Sequence, residues 1–216
     1  MAEIFSLIIG YLLGSVSPSY IISKKKNIDL RKSGTKNLGA SNTFMSVGKK
    51  WGMFVMFFDI FKAFLAVRLS RFLFPQSVLA GVISGSAAVM GHNHPFYLKF
   101  KGGKGIAAFG GFILGFSPMM FLIMLAVCLV IAIIANYSCM LSFSAAIIFP
   151  FLATYKLWAD GASIGMLVAG FLVIMVPMIS VIVKHRENLR RIKSGEEHKF
   201  SAFLSKFVLS SKGKKG

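Results

Sequence analysis

A stretch of 50 residues, 106–155, contains no charged side chain, and most of its residues are apolar. In the whole chain only 15% of the residues are charged, against about 25% in a soluble globular domain. A soluble fold of 216 residues cannot bury this much apolar surface, whereas a bilayer accommodates it as helices of about 20 residues. Long apolar runs without alternation favour helices over a barrel. The sequence therefore predicts an all-α polytopic membrane protein.

Three short polar segments hold 21 of the 25 Lys and Arg residues: residues 24–50, residues 92–104 and the chain from residue 184 onward. Lys- and Arg-rich loops between spans stay in the cytoplasm, so the three segments are expected at one membrane face, where their side chains can converge. A net charge of +18 suits either contact with anionic lipid headgroups or binding of an anionic substrate. No nucleic-acid partner is predicted, because no basic domain stands clear of the bilayer.

The number of spans follows from these cytoplasmic segments. An even number of spans must lie between residues 105 and 184, and polar breaks at Ser117-Pro118 and 136–138 divide the charge-free stretch into three helices. We predict seven spans, with the N-terminus outside and the C-terminus in the cytoplasm; five spans are the alternative. The remaining spans are predicted at residues 4–23, 51–73, 76–90 and 162–183, within one membrane domain (1–205) that precedes a basic cytoplasmic tail (206–216).

The first basic segment combines glycines with neutral hydrogen-bonding side chains. Gly34 and Gly39 allow tight turns, and Lys32 and Lys36 supply positive charge. The neutral polar residues are Thr35, Asn37, Ser41 and Asn42. These residues suit an anion site, and they also suit an ordinary loop in which Ser41 or Asn42 caps the following helix.

The second segment has the composition of a phosphate site. Gly102, Gly103 and Gly105 surround Lys104 at the start of a helix, where backbone N–H groups and the helix dipole attract an anion. This is not a nucleotide-binding P-loop, because no Ser or Thr follows Lys104. His92 and its neighbour His94 have no Cys, Asp or Glu nearby to complete a metal site, so neither a metal nor a cofactor is predicted.

The third segment is expected to continue the last helix out of the membrane. His185 and Asn188 are three residues apart and would share a face of that helix. Lys and Arg alone would suffice to bind lipid headgroups, so the presence of His and Asn indicates a functional role in the site. Within the spans, Asp59 and Lys62 are also three apart and are expected to pair with each other.

Taken together, these segments resemble the bacterial membrane family of acyl-phosphate:glycerol-3-phosphate acyltransferases, over about residues 10–198. Four stretches carry the resemblance, and Asp59 with Lys62 also matches the family. The stretches are Gly14-Ser15-x-x-Pro18, Asn37-Leu-Gly-Ala-Ser-Asn42, Gly91-His92…Pro95…Phe100-Lys-Gly-Gly-Lys-Gly105 and His185-Arg-x-Asn188…Gly195-x-Glu197.

The resemblance implies a seven-span enzyme of the bacterial plasma membrane with its site at the cytoplasmic face. It implies transfer of a fatty acyl group from acyl phosphate to the 1-hydroxyl of sn-glycerol 3-phosphate, giving lysophosphatidic acid and phosphate. Both substrates are anionic and one carries a lipid tail, so a basic site beside membrane lipids suits both. A transporter or lipid-binding protein with the same basic face is the alternative, although such proteins place ionisable groups near the midplane.

The resemblance also implies roles for individual residues. Thr35, His185 and Asn188 would be catalytic, with His185 as general base; the phosphate of the donor is the preferred alternative as proton acceptor. Asp59, Lys62 and Glu197 would be structural, the last paired with an arginine. The substrate- and phosphate-binding residues would be Asn37, Gly39, Ser41, Asn42, His92, Lys101, Gly102, Gly103, Lys104 and Gly105.

The chain departs from the family pattern at four positions. Thr35 stands where the family has Ser, which keeps the hydroxyl, and Met45 stands where it has Arg. Loss of that Arg removes a bidentate phosphate donor, which a lysine replaces only in charge. Ala63 and Ala108 replace Gly and Thr. A divergent relative with low activity is therefore a second alternative.

Overall fold

The computed structural model of this protein describes residues 1–197 and 199–202, and the regular structure within them is helical. The predicted tail, 206–216, lies outside the described residues. The helices are α1 (Ala2–Ser15), α2 (Pro18–Lys25), α3 (Ala40–Ser46), α4 (Lys49–Leu73), α5 (Ala80–Asn93), α6 (Ile106–Phe116), α7 (Pro118–Ala135), α8 (Met140–Ala159), α9 (Ile164–Lys184) and α10 (Arg186–Lys193).

The charge-free stretch divides where its polar residues predicted. Ser117 caps α7 by accepting a hydrogen bond from the Met120 N–H (3.3 Å), and Pro118 occupies the first turn, where its missing N–H costs nothing. Asn136 ends α7 in the left-handed conformation, with φ of +55°, which Asn adopts more readily than most residues. The two predicted breaks are therefore confirmed.

Two predicted helices are broken in the structure. The first span is interrupted at Val16, because Pro18 opens α2 and Ser17 caps it through the Tyr20 N–H; a proline restricts the residue before it. The last span ends at Lys184, and His185 lies between α9 and α10. The expectation that the last helix continues past His185 is therefore wrong. His185 lies instead at a helix junction.

The helices form an integral membrane bundle. Among the described residues, four segments are long and apolar enough to cross a bilayer: Ala2–Lys25, Pro118–Ala135, Met140–Ala159 and Ile164–Lys184. α4 is 25 residues long but carries Asp59, Lys62 and Arg68. α5 and α6 are shorter, with 14 and 11 residues.

Small residues bring the bundle's backbones together. A Cβ added to Gly10 or Gly14 of α1 would lie 2.1 Å from the carbonyl oxygen of Ser84 or Ala88 in α5. Packing of this kind stabilises helix pairs in lipid, where burial of apolar surface contributes little. These close approaches hold α5, and the loop that follows it, against α1 and α4.

Candidate active site

The first and second basic segments meet through backbone and apolar contacts. Leu98 packs with Leu30 and Leu38 in one buried cluster. The Leu38 carbonyl lies 3.0 Å from where a Cβ of Gly103 would be, so Gly at this position permits the close approach. The half-buried side chain of Arg31 also donates to the Lys101 carbonyl, at 3.5 Å. These contacts place residues 30–38 beside the glycine–lysine loop, residues 101–105.

The second and third segments meet through side chains. Lys104 Nζ donates a hydrogen bond to Asn188 Oδ1 at 2.6 Å. Asn188 Nδ2 donates in turn to Glu197 Oε1 (2.6 Å), and the other carboxylate oxygen accepts from Arg191 Nε at 2.7 Å. The expected pairing of Glu197 with an arginine is present. Burial and the nearby Arg191 charge lower the pKa of the Lys104 ammonium.

Asn42 organises the first segment. Its side chain is fully buried, accepts from the Thr35 N–H (2.8 Å) and donates to the carbonyls of Leu30 (2.7 Å) and Asn37 (2.8 Å). Gly34 faces it, with a left-handed φ of +54° and no room for a Cβ. The polar atoms of Asn42 are thus engaged within the loop, where they position its neighbours.

Other polar groups of the first segment remain accessible. The Thr35 hydroxyl accepts a hydrogen bond from Asn37 Nδ2 at 2.7 Å and still has its own proton to donate. Ser41 is exposed, and Met45 is 49% exposed on the same short helix, α3. Gly39 precedes this helix as its N-cap.

The glycine–lysine loop folds back on the end of α5. The Gly102 and Gly103 N–H groups donate to the carbonyls of Asn93 and His92, each at 3.1 Å. These two amides are therefore not available to a phosphate as the sequence predicted, because the last carbonyls of a helix lack intrahelical partners and recruit them. Lys104 and the start of α6, which Gly105 caps with φ of +92°, remain for an anion.

A buried cluster lies beneath this loop. Lys62 Nζ is 2.7 Å from Asp59 Oδ1, 3.1 Å from His92 Nδ1 and 2.6 Å from the Val16 carbonyl oxygen. The predicted Asp59–Lys62 pair is present, and it extends to His92 and to the break between α1 and α2. All three side chains are at most 7% exposed.

His185 is held away from the surface. It is 2% exposed, its Nδ1 lies 2.8 Å from the Val181 carbonyl oxygen and its Nε2 lies 3.3 Å from Ser142 Oγ. A carbonyl only accepts hydrogen bonds, so Nδ1 carries the proton and Nε2 accepts from Ser142. Burial lowers the pKa of His185 to about 4, which leaves the ring neutral near pH 7.

Sequence reasoning missed Ser142. This residue lies inside a long apolar helix, where a single serine is unremarkable in composition, and only the fold brings it to His185. His185 and Asn188, which were expected to share a helix face, instead contact different groups: Val181 and Ser142 in one case, Lys104 and Glu197 in the other.

A family model described as glycerol-3-phosphate acyltransferase matches residues 4–195. The chain belongs to the glycerol-3-phosphate acyltransferase family. A relative of that name from Aquifex aeolicus is 34% identical over 200 residues, covering 93% of this chain and 100% of the relative. Another from Macrococcus caseolyticus is 38% identical over 197 residues, covering 89% of this chain and 94% of the relative.

Two solved structures resemble the fold of this family member. Both are of PlsY (YgiH), an integral membrane glycerol 3-phosphate acyltransferase. Its glycerol 3-phosphate form superposes with a TM-score of 0.79 at 33% identity, covering 96% of this chain and 100% of that chain. Its lysophosphatidic acid form gives a TM-score of 0.74 at 32% identity, covering 92% and 95%.

The four departures from the family pattern fall in two places. Thr35 and Met45 lie in the polar first segment, where side chains are accessible. Ala63 and Ala108 are fully buried in the apolar core, where an added methyl or a lost hydroxyl changes packing. The accessible pair is therefore the one that bears on substrate contacts.

Proposed function

We propose that this protein transfers a fatty acyl group from acyl phosphate to the 1-hydroxyl of sn-glycerol 3-phosphate, giving lysophosphatidic acid and phosphate. Membership of the family and the two PlsY forms support this reaction. The observation that carries it is the meeting of the three basic segments, above all the 2.6 Å contact of Lys104 with Asn188. One basic site beside the bilayer can hold two phosphates and a lipid tail together.

The reaction needs positioning more than activation. The hydroxyl oxygen bonds to the acyl carbon, the bond between that carbon and the phosphate oxygen breaks, and its electron pair leaves on the phosphate. Acyl phosphate is already an activated anhydride, so alignment of the two substrates supplies most of the rate. Lys104 and the start of α6 hold a phosphate, and Thr35, Asn37 and Ser41 line its edge.

The leaving phosphate takes the hydroxyl proton. The oxygens of the departing phosphate can accept a proton near neutral pH, as a proton acceptor here must. His185 is a much weaker base, with its pKa lowered to about 4 and its Nε2 occupied by Ser142. We therefore assign His185 and Asn188 to the shape and charge of the site, with Asn188 orienting Lys104.

The same proposal includes seven spans in the bacterial plasma membrane, with the active site at its cytoplasmic face. At one end of the bundle, Ser77 Oγ donates to Glu3 (3.0 Å) and Arg71 donates to the Phe116 carbonyl (3.0 Å). Asp160 lines a cavity of about 180 Å³ with Arg71 and Phe116 at this end. The N-terminus and three interhelical turns thus lie together, which supports an outer face.

The remaining turns lie at the opposite end. Lys104 contacts Asn188 there, and Asn136 accepts a hydrogen bond from the Phe200 N–H at 2.9 Å. Successive turns therefore alternate between the two ends, an arrangement that favours seven spans over five. Residues 1–205 act as one membrane domain in this proposal.

The test is an assay of purified full-length protein in detergent, supplied with acyl phosphate and glycerol 3-phosphate. Phosphate release that requires both substrates supports the proposal. A Met45→Arg variant, with Met45→Lys as its control, asks whether the missing bidentate donor limits the rate. If only the Met45→Arg protein released phosphate, the natural chain would be a degenerate relative of the family.

A further inference from the structure

We propose that Lys62 is a positioning residue that holds His92 as its Nε2–H tautomer, so that this N–H donates a hydrogen bond to the phosphate group of the substrate. The substrate's identity rests on the proposed function, but the tautomer does not. Asp59 and Lys62 thereby gain a role beyond pairing within the membrane.

The ammonium of Lys62 has three N–H groups and three acceptors within reach. The Val16 carbonyl oxygen at 2.6 Å and His92 Nδ1 at 3.1 Å are hydrogen-bonded to it, whereas Asp59 Oδ1, at 2.7 Å, forms an ion pair without hydrogen-bond geometry. An ammonium can only donate, so a proton on Nδ1 would face another N–H. A bare Nδ1 accepts a hydrogen bond from the ammonium without this conflict, and the single proton of the neutral ring then resides on Nε2.

A competing partner for Nδ1 is Asp59 Oδ1, at 3.3 Å. That contact is longer than the one with Lys62, and the carboxylate charge is already balanced by the ammonium. In a buried cluster every polar group that lacks a partner costs free energy. The arrangement with Lys62 as donor gives Nδ1 a hydrogen-bond partner at 3.1 Å, whereas the contact of Nδ1 with Asp59 is a charge contact alone.

Nε2 of His92 points to the glycine–lysine loop. A Cβ added to Gly103 would lie 2.1 Å from it, so the absence of a side chain at this position leaves the nitrogen facing the loop next to Lys104. Among the described residues, Nε2 has no hydrogen-bond partner. The ring is nevertheless buried, with only 7% of the residue exposed. A phosphate oxygen bound beside Lys104 is an acceptor of the right kind for this donor.

His185 provides an internal reference, because its Nδ1 faces the Val181 carbonyl and must carry the proton. The two buried histidines are therefore opposite tautomers. Full-length protein labelled with ¹⁵N-histidine is examined by two-bond ¹H–¹⁵N correlation NMR, with His92 and His185 assigned by His92→Gln and His185→Gln. We expect neutral Nε2–H for His92 and neutral Nδ1–H for His185. A protonated Nδ1 on His92 in the natural protein would overturn the proposal.

Titration with glycerol 3-phosphate separates this inference from the proposed function. The His92 Nε2 resonance is expected to shift on binding while the His185 resonances move little. An unmoved Nε2 resonance in protein that still acylates glycerol 3-phosphate would refute the donor role alone. Protein that shows the tautomer and the shift but no acylation would refute the reaction alone.

Matched variants at position 92 test the same inference through the KM for glycerol 3-phosphate. The side-chain amide of Gln places an N–H near the position of Nε2, whereas Asn places one near Nδ1. His92→Gln is therefore expected to keep the KM for glycerol 3-phosphate within about threefold, and His92→Asn and Lys62→Met to raise it about tenfold or more, as for a lost hydrogen bond to a charged group. Equal effects of Gln and Asn at position 92 would contradict the proposal.

Discussion

Lys104 and Asn188 are 84 residues apart in the chain and 2.6 Å apart at the site. Asn188 accepts from the lysine with its oxygen and donates to Glu197 with its nitrogen, and Glu197 pairs with Arg191. Each group fixes the orientation of the next, since an amide has distinct donor and acceptor ends. The Glu197 carboxylate, at the far end of this series of hydrogen bonds, therefore determines where the Lys104 ammonium points.

Glu197→Gln tests this chain of contacts. The substitution removes the charge that binds Arg191, and a neutral amide can present an N–H where Asn188 needs an acceptor. We expect kcat/KM to fall about tenfold or more, in line with loss of a hydrogen bond to a charged group. The control is Glu196→Gln, since Glu196 is exposed, and it should stay within about twofold. Equal rates for the two variants would exclude an orienting role for Glu197.

His185 links pH to stability. Its pKa of about 4 in the folded protein lies below its usual value of 6.5, so between these values the unfolded chain binds the extra proton. The contribution to stability is complete above about pH 6.5 and is lost as the pH falls towards 4. From pH 7 to pH 5 this loss is about 2 kcal/mol.

Thermal unfolding in detergent at pH 7 and pH 5 measures this effect. The natural protein should lose more stability on acidification than a His185→Gln variant, which has no ring to protonate. Parallel losses in both proteins would show that His185 does not carry the pH dependence.

At the scale of elements, the loop after α5 is held by close contacts with a side chain and a backbone carbonyl that only glycine permits. A Cβ at Gly103 would lie 2.1 Å from His92 Nε2 and 3.0 Å from the Leu38 carbonyl. These neighbours belong to the second and first basic segments, so the loop is where the two segments fit together. Any side chain at this position has to push them apart.

Gly103→Ala should therefore lower activity far more than stability. We expect kcat to fall at least tenfold, because displacement of the loop moves Lys104 away from Asn188. Gly165→Ala is the control, since its Cβ would enter open space on helix α9 and its rate should match that of the natural protein. A fully active Gly103→Ala enzyme would rule out a rigid loop.

Local chemistry made much of the fold predictable. Ser117, Pro118 and Asn136 end and begin helices by rules that act over three or four residues, so their breaks could be read from the sequence. The break at Val16 was missed although Ser17 and Pro18 begin α2 by the same local rule as Ser117 and Pro118; only the Lys62 ammonium that binds the Val16 carbonyl is distant in sequence. Ser142, and the use of the Gly102 and Gly103 amides by α5, likewise depend on tertiary contacts.

At the scale of the whole molecule, turns alternate between two ends of the bundle. One end holds Ser77, Phe116 and Asp160, and the other holds Lys104 and residues 136–139. A seven-span topology with a cytoplasmic site requires this alternation to match the two sides of the membrane.

Cysteine labelling in intact cells checks the topology. In a background with Cys128 and Cys139 replaced by serine, an impermeant thiol reagent should label Asp160→Cys from outside. It should label Ser138→Cys only after the cells are opened. Labelling of Ser138→Cys in intact cells would contradict seven spans and favour five.

The central claim is that the three basic segments form one site for acyl transfer. Its most direct measurement is the formation of lysophosphatidic acid from labelled glycerol 3-phosphate and acyl phosphate, detected by mass spectrometry. The natural protein should form this product, and Thr35→Ala, Lys104→Met and Asn188→Ala, one from each segment, should each lower kcat/KM about 100-fold, since residues of one active site act as a unit. Lys99→Met, an exposed lysine of the second segment, should leave the rate unchanged. No product from the natural protein, or equal loss from Lys99→Met, would contradict the account.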